Sequence, residues 1–314
     1  MQIITCLDQL NLKKKTSVAL GNFDGIHTGH REIFRAALDA AEKQGLDSLC
    51  FTFSNHPFNF ILRRDDGDPD AVKLICTEDE KIALIEDMGF DILVNVPFDE
   101  HIMVMQAHDF FSDIVRDKLN AGYVSVGFNY TYGARAMGRP DTLRRECAEA
   151  GIGVSIHDAV IVDGEVVSST LIREMIATGN MEMTAKLLGR PYSFTGTVSH
   201  GKRLGTRMGI PTINIPAPGR QMLPPNGVYF SRILIGGVTY NSVSNIGMNP
   251  TVNADSMRKT IETNIFDYDD DAYGQEITVY FDHFSRGERK FRNKEELFAQ
   301  IARDCENARN YRKK

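Results

Sequence analysis

The first half of the chain alternates short apolar runs with helical patterns. Residues 17–20, 49–53 and 92–96 are compact apolar runs, which predict buried strands. Between the first two runs, apolar residues recur every three or four positions from about Arg31 until Gly45, which predicts an amphipathic helix. Strands that alternate with helices predict a parallel sheet with helices on both faces.

Two further features extend this alternation. Thr77 is followed three residues later by Glu80, which is a capping box, so a helix should begin there and end at Gly89. A helical stretch around residues 110–115 then leads to another predicted strand over residues 123–127.

From about residue 193 the pattern changes to short β runs. These runs cover Val198 and residues 228–235, 238–246, 260–266 and 277–281. Gly236 and Gly237 lie between two of them and predict a hairpin, and a last helix is predicted over about residues 293–312. The change of pattern places a boundary near residues 188–192, so we expect two domains, residues 1–188 and 189–314.

Composition and charge narrow the class of protein. Of the 314 residues, 42% are hydrophobic and 25% charged, which is typical of a globular protein and excludes disordered and collagen-like chains. The 36 Lys and Arg against 42 Asp and Glu give a formal charge of −6. This balance argues against nucleic acid or an anionic membrane as a partner.

Cysteine usage and the N-terminal segment bear on the compartment. The five cysteines are scattered and form no CxxC motif, so we expect neither a disulfide framework nor a zinc site. The basic triplet at residues 13–15 follows the first apolar stretch, whereas a secretory signal has the reverse order. We therefore expect a cytoplasmic protein.

A glycine-rich segment stands where the first predicted strand passes into the first helix. Residues 21–30 read GNFDGIHTGH. Its glycines allow the backbone to approach a phosphate closely, and the following helix directs its positive dipole end toward the same place. His27 and His30 could donate hydrogen bonds to phosphoryl oxygens there. The alternative is an ordinary turn with two surface histidines, but the flanking strand and helix favour a phosphate site.

A second segment suits the same ligand. Residues 168–173 read SSTLIR, with hydroxyls at a helix start and Arg173 one turn later. This is the chemistry of a phosphate clamp. Taken alone, the segment is more commonly a helix cap with a surface arginine.

Together these motifs resemble the adenylyltransferase module of bacterial bifunctional riboflavin kinase/FAD synthetases, in the nucleotidyltransferase superfamily. His56-Pro57, Thr77 with Lys81, and residues 127–133 (GFNYTYG) follow in the family's order. The resemblance implies a Rossmann-like α/β domain with a parallel sheet and helices on both faces. One departure is Tyr130 and Tyr132, because the family commonly has two phenylalanines there.

The resemblance also implies roles for individual residues. His27 and His30 would stabilise the phosphates of ATP, and Asn129 would contact the flavin. The other residues implied in ATP binding are Gly21, Phe23, Asp24, Gly29, Ser169, Thr170 and Arg173. The phosphate of FMN would attack the α-phosphorus of ATP and expel pyrophosphate with the help of Mg²⁺ and without a covalent enzyme intermediate.

A separate glycine- and base-rich loop precedes a predicted strand in the second half. Its candidates for phosphate contact are Gly201, Lys202, Gly205 and Gly209. Thr212 and Asn214 supply the hard oxygen atoms that Mg²⁺ prefers. The loop is not a Walker A motif, and by itself it is typical of a surface turn. Glu262 lies in a later, mostly apolar strand, where a carboxylate either faces solvent or serves in proton transfer.

This second run resembles the riboflavin kinase module, a small antiparallel β-barrel with a C-terminal helix. The resemblance implies that residues 211–214 (PTIN) bind Mg·ATP and that Glu262 is the general base on the 5′-hydroxyl of riboflavin, which attacks the γ-phosphate. Departures are Asn264, where the family often has histidine, and Thr206-Arg207, where the reverse order is frequent.

We therefore expect a bifunctional enzyme with riboflavin, FMN and ATP as its small-molecule partners and Mg²⁺ as its cofactor. One alternative is a flavin-binding regulatory protein with one or both sites inactive. A relative of class I tRNA synthetases is a weaker alternative, because no KMSKS segment is present and the chain is acidic. The sequence leaves the oligomeric state open.

Overall fold

A computed structural model describes residues 1–65, 67–68, 70–199, 211–217, 219–250 and 257–311. The chain forms two compact units, Met1–Ser169 and Thr170–Lys314. This structural division is distinct from the expected division into functional domains after residue 188, which stays a prediction.

The first unit contains a six-stranded sheet in which every neighbouring pair is parallel. Its strands are β1 (Gln2–Ile4), β2 (Thr16–Leu20), β3 (Asp47–Phe53), β4 (Ile92–Val96), β5 (Ala121–Gly127) and β6 (Gly153–His157). The order across the sheet is β1-β4-β3-β2-β5-β6. Strands β3 and β4 lie on one side of β2, and β5 and β6 lie on the other side. The order of the strands therefore reverses between β2 and β5, which creates a crevice at the carboxyl ends of these two strands.

Helices cover both faces of this sheet, as predicted. They are α1 (Thr28–Gln44), α2 (Pro57–Arg64), α3 (Glu78–Asp87), α4 (Glu100–Val104), α5 (Ala107–Asp109), which continues as a π-helix (Phe110–Lys118), and α6 (Pro140–Glu149). A small hairpin follows, formed by β7 (Ile161–Val162) and β8 (Glu165–Val166).

Consecutive residues of the central strands alternate between two hydrophobic cores. Ala19 of β2 packs into one core with Phe34 of α1 and Ile85 of α3, and all three are fully buried. Val18 and Leu20 point to the opposite core, which the π-helix and α6 cover. This alternation follows from the two-residue period of a strand, and it explains why the strands are apolar throughout.

The second unit consists of two helices, a curved antiparallel sheet and a C-terminal helix. Its elements are α7 (Ser169–Thr178, whose first residue belongs to the first unit), α8 (Met181–Leu188), β9 (Tyr192–Thr197), β10 (Ile213–Pro216), β11 (Gly227–Ile235), β12 (Val238–Pro250), β13 (Met257–Ile265), β14 (Glu276–Arg286) and α9 (Lys294–Tyr311). The strand order is β10-β13-β12-β11-β14-β9. The backbone N–H of Ser199, just after β9, donates to the carbonyl of Asn214 in β10 at 2.8 Å, so the two sheet edges meet in a barrel.

The predicted hairpin at Gly236 and Gly237 is confirmed. Both glycines have positive φ, 57° and 79°, and Ile235 pairs with Val238 across the turn. A two-residue loop of this kind requires left-handed backbone at both positions, which glycine adopts without steric cost.

The C-terminal helix packs on the outer face of the barrel. Ala308 of α9 meets Val228 and Phe230 of β11 in a small apolar cluster. The guanidinium of Arg286 donates to both carboxylate oxygens of the buried Asp304, with a shortest distance of 2.6 Å. A charge-assisted, bidentate pair of this kind fixes the orientation of the helix on the sheet.

All five cysteines lie within the described residues and are reduced thiols. In the part of the chain that the structure describes, no helix combines the length and the apolar character needed to cross a membrane.

The packing of Phe34 generates a stability prediction. Its ring is fully buried and meets Phe23 and Phe90 edge to face at centroid distances of 4.5 and 5.2 Å. We expect Phe34→Ala to lower the free energy of unfolding of the first unit by about 3–5 kcal/mol, because a cavity replaces the ring. Urea unfolding followed by circular dichroism measures it. The matched control is Phe58→Ala, whose residue is 50% exposed and which should change little.

Candidate functional site

The glycine-rich segment forms a strained loop between β2 and α1, at the crevice of the parallel sheet. Phe23, Gly25 and Ile26 all have positive φ, of 49°, 81° and 39°. Left-handed backbone is unfavourable for phenylalanine and more so for a β-branched residue. Phe23 and Ile26 are, however, 1% and 0% exposed in the core beneath the sheet, so burial of their side chains holds the loop in this conformation.

The loop is also tied to two other segments of the first unit. The carboxylate of Asp24 accepts the backbone N–H of Ile75 at 3.0 Å, and the backbone N–H of Gly25 donates to Sγ of Cys76 at 3.3 Å. A Cβ on Gly25 would lie 2.7 Å from Cγ2 of Ile75, so only glycine fits there. Ser169, the first residue of α7, donates its hydroxyl to the carbonyl of Asp24 at 3.1 Å. One residue of the SSTLIR segment therefore contacts the loop directly.

Helix α1 begins three residues before the predicted start, inside the motif. His27 is its N-cap, and Nδ1 of His27 accepts the backbone N–H of His30 at 3.2 Å. Histidine is not among the usual capping residues, which is why the periodicity of the sequence placed the start too late. The two imidazoles stack, with centroids 3.5 Å apart and planes inclined by 19°.

The stacked pair has a distinct protonation pattern. Because Nδ1 of His27 accepts a hydrogen bond, a neutral His27 carries its hydrogen on Nε2 and can donate from there. Burial, together with the neighbouring His27, lowers the pKa of His30 well below its ordinary value. Nδ1 of His30 is buried and has no hydrogen-bond partner among the described residues. Imidazole N–H groups at a helix N-terminus can donate hydrogen bonds to an anion.

The other predicted residues of this loop support the same arrangement. A Cβ on Gly21 would lie 2.7 Å from the ring of Phe23, and one on Gly29 would lie 3.2 Å from the ring of His27. Any larger residue at either position would press on an aromatic ring of the motif. The two glycines therefore allow close packing around the histidine pair.

A small cleft, open to solvent, lies beside this loop at the ends of β2 and β3. Its lining residues are Asn22, Asp24, Phe53, Ser54, Asn55, His56, Leu74, Cys76, Thr77, Glu78 and Lys81. Nζ of the buried Lys81 donates to the carbonyl of Phe53 at 2.6 Å, and burial lowers the pKa of Lys81. Its spacing from Thr77 was visible in the sequence, but its burial at the cleft was not.

Asn129 lies in the loop that follows β5, on the other side of the crevice. The loop begins with a turn, in which the backbone N–H of Tyr130 donates to the carbonyl of Gly127 at 3.0 Å. Oδ1 of Asn129 lies 3.5 Å from where a Cβ on Gly127 would be, so the Asn129 side chain folds back over that glycine. Tyr132 is buried at the base of the loop.

The remaining predicted residues of the SSTLIR segment belong to the second unit. Thr170 and Arg173 follow Ser169 on α7, so all three lie within the first five residues of one helix. This confirms the predicted helix start and leaves the triphosphate contact as a prediction.

In the second unit, strand register aligns three polar residues across the barrel. Asn214 of β10 pairs with Glu262 of β13, and Glu262 pairs on its other side with Asn245 of β12. Directly opposed residues project to the same face of a sheet, so the three side chains form one row. Asn214 is 8% exposed and Glu262 is partly buried. Asn245 was not predicted as a site residue, because only the register reveals that it neighbours Glu262.

Asn264, one of the departures from the family pattern, supports the start of the PTIN segment. Its Nδ2 donates to the carbonyl of Pro211 at 2.8 Å. Thr212 follows Pro211 directly and leads into β10. The other predicted phosphate contacts, Gly201, Lys202, Gly205 and Gly209, lie outside the described residues.

Within the described ranges, no three His, Cys, Asp or Glu side chains come together as a metal-binding group. Mg²⁺ needs few protein ligands when a nucleotide supplies phosphate oxygens. The hydroxyl of Thr212 and the amide oxygen of Asn214, beside the carboxylate of Glu262, match this requirement in chemistry.

Comparison with known proteins gives two family matches, one for each part of the chain. A family model described as FAD synthetase matches residues 9–171, and one described as riboflavin kinase matches residues 188–312. The bifunctional riboflavin kinase/FMN adenylyltransferase of Bacillus subtilis is 33% identical over 95% of this chain and 92% of its own. The chain belongs to the bifunctional riboflavin kinase/FMN adenylyltransferase family. The member from Escherichia coli K12 is 32% identical over 94% of this chain and 92% of its own.

A solved structure shares the complete fold. A crystal structure described as a macrolide-efflux protein from Streptococcus pneumoniae has a TM-score of 0.88 and 31% identity, and the match covers 98% of both chains. The relative from Haemophilus influenzae, at 30% identity over 98% of both chains, carries the same bifunctional name as the other two. Family membership therefore extends over both units.

The buried His30 predicts a specific dependence of stability on pH. Its pKa is lowered in the folded state, so below about pH 6.5 the unfolded chain binds a proton that the folded protein does not. The stability that neutral, buried His30 contributes is thus present above about pH 6.5 and is lost as the pH falls below it.

We expect wild type to lose about 1 kcal/mol more than His30→Gln between pH 7 and 5.5. Urea unfolding at the two pH values measures the difference. His101→Gln, at an exposed position, is the control and should behave like wild type. Equal losses in wild type and His30→Gln would show that His30 does not stay neutral in the folded protein.

Proposed function

We propose that this protein phosphorylates riboflavin with ATP to give FMN and then transfers AMP from a second ATP to give FAD and pyrophosphate. The observation that carries the proposal is the presence of both family matches in one chain, each on a unit with its own polar constellation. We further propose that the functional domains divide near residue 188 and that the enzyme works in the cytoplasm, where free thiols such as these stay reduced.

For the adenylyl transfer we propose the strained loop as the nucleotide site. Gly21, Phe23, Asp24 and Gly29 would shape the loop around the phosphates, and Ser169, Thr170 and Arg173 would contribute a hydroxyl- and guanidinium-rich helix start. His27 and His30 would donate hydrogen bonds as charge develops on the phosphoryl oxygens. The lowered pKa of His30 supports a neutral donor, and a bound phosphate would favour protonation of His30.

The incoming nucleophile in this step is the phosphate of FMN. Asn129 stands across the crevice from the loop, and we propose that it contacts the flavin. An FMN phosphate oxygen would then attack the α-phosphorus of ATP while the bond to the pyrophosphate oxygen breaks. No covalent enzyme intermediate is required, since the site acts by positioning and by charge stabilisation.

For the kinase step we propose the polar row of the barrel as the reacting site. Glu262 would accept the proton of the ribityl 5′-hydroxyl as that oxygen attacks the γ-phosphorus of ATP. Thr212 and Asn214 would hold Mg²⁺, which neutralises charge on the phosphates when bound. The register that brings Asn214 beside Glu262 supports this assignment.

The direct test of function is a product-resolved assay. Riboflavin, ATP and Mg²⁺ are incubated with the purified protein, and the flavins are separated by chromatography. We expect FMN to appear first and FAD to follow. If FMN but no FAD forms at high ATP, the proposed adenylyltransferase activity is wrong. Tight flavin binding without any conversion would favour the alternative of a regulatory flavin-binding protein.

Glu262→Gln tests whether the two steps use separate sites. Glutamine keeps the shape of the side chain and cannot accept the proton, so we expect FMN formation to fall about 10²- to 10⁴-fold. Conversion of supplied FMN to FAD should remain at the wild-type rate. Glu276→Gln, at an exposed position on β14, is the matched control. Loss of both activities in a folded Glu262→Gln protein would contradict the assignment.

A further inference from the structure

Three side chains from different elements converge beneath the loop that carries Asn129. The hydroxyl of Tyr132 donates to Oε2 of Glu146 on α6 at 2.6 Å. The other oxygen of the same carboxylate, Oε1, lies 3.1 Å from Nδ1 of His108 on α5. The motifs of the sequence give no role to Glu146 or His108.

The Tyr132–Glu146 contact lies in the protein interior. Tyr132 is 5% exposed and Glu146 is 7% exposed, whereas His108 is at the surface. Burial and the neighbouring Glu146 raise the pKa of Tyr132, so its hydroxyl keeps its proton and acts as the donor. A buried carboxylate needs such donors, because leaving it without partners is costly. The two groups therefore depend on each other.

The ring of Tyr132 is fixed in a narrow slot. Its backbone exchanges two hydrogen bonds with Gly138, of 3.3 and 2.9 Å, and a Cβ on Gly138 would lie 2.7 Å from the ring. The next residue, Gly133, has φ of 71°, and a Cβ there would lie 2.5 Å from Cα of Ala107. The close contact with Gly138 on one side of the ring and the hydrogen bond to Glu146 at its far end hold Tyr132 in this orientation.

The Tyr132 ring also supports the part of the loop that carries Asn129. The ring of Tyr130 stacks on that of Tyr132, with centroids 5.8 Å apart and planes inclined by 19°. Asn129 is the adjacent residue, and its side chain folds over Gly127 at the end of β5. The segment that faces the crevice is thus built on the Tyr132 ring, which in turn is held by the carboxylate of Glu146.

We propose that Tyr132 and Glu146 are a pair of positioning residues that hold the Asn129–Tyr130 segment ready for FMN in the adenylyltransferase site. This inference rests on the proposed function of that site. Neither residue takes part in the chemistry. Their effect is to order the segment before FMN binds, so that FMN does not have to select the ordered form from a mixture.

The experiment is a double-mutant cycle with Tyr132→Phe, Glu146→Leu and the double variant. Each single change breaks the same hydrogen bond to a charged group, so we expect the KM for FMN to rise about tenfold. The kcat for FAD formation should change less than about twofold, since binding alone is affected. The KM for FMN of the double variant should be no higher than that of either single variant, because the hydrogen bond between Tyr132 and Glu146 can be lost only once.

Three controls separate positioning from general damage. Glu146→Gln keeps an oxygen that accepts from Tyr132 and should stay close to wild type in its KM for FMN. Glu149→Leu changes an exposed glutamate of the same helix and should have no effect. The KM for riboflavin in the kinase step, measured on the same preparations, should be unchanged throughout.

The outcomes distinguish this inference from the proposed function. If wild type forms FAD but the KM for FMN stays within twofold of wild type in Tyr132→Phe and Glu146→Leu, the positioning role is wrong and the pair serves stability alone. If wild type forms no FAD, FMN titration by flavin fluorescence replaces the rate assay. Weaker FMN binding in the variants would then support the positioning role of Tyr132 and Glu146 even though FAD is not formed. FMN binding that is equal in variants and wild type, or absent from wild type, would overturn that role.

Discussion

The N-terminal site depends on a short stretch of left-handed backbone held in place by burial. Phe23 and Ile26 adopt positive φ at a cost of about 1–3 kcal/mol each, and their buried side chains offset that cost. This conformation lets the chain turn from β2 straight into α1 with His27 as the cap. The stacked histidines, the tether to Asp24 and the adjoining cleft all follow from that turn.

The second unit positions its polar residues by a different physical device. Strand register in the barrel aligns Asn214, Glu262 and Asn245 on one face without any strained backbone. A helix terminus with imidazole donors suits charge developing on phosphoryl oxygens, whereas a fixed carboxylate suits removal of a hydroxyl proton. The two compact units therefore differ in the polar side chains that they bring together as well as in their fold.

The sequence predicted the elements well because their patterns are local. The strand at residues 92–96 was predicted from its apolar run and the hairpin from the Gly236-Gly237 pair, and both motif sets identified the family. The start of α1 was missed because a histidine acts as its cap. The Tyr132–Glu146 pair could not be predicted, since it depends on how α6 packs under the loop. The formal charge of −6 also said little about ligands, because a site is governed by its local groups.

We propose that this one chain carries two independent sites, one for each of two successive steps. Complementation between two variants, each defective at one site, tests it most directly. His30→Ala should form FMN but little FAD from riboflavin and ATP, and Glu262→Gln should form neither. A mixture of the two should restore FAD, because FMN released by the first variant is a substrate for the second. A mixture that forms no more FAD than His30→Ala alone would contradict the account.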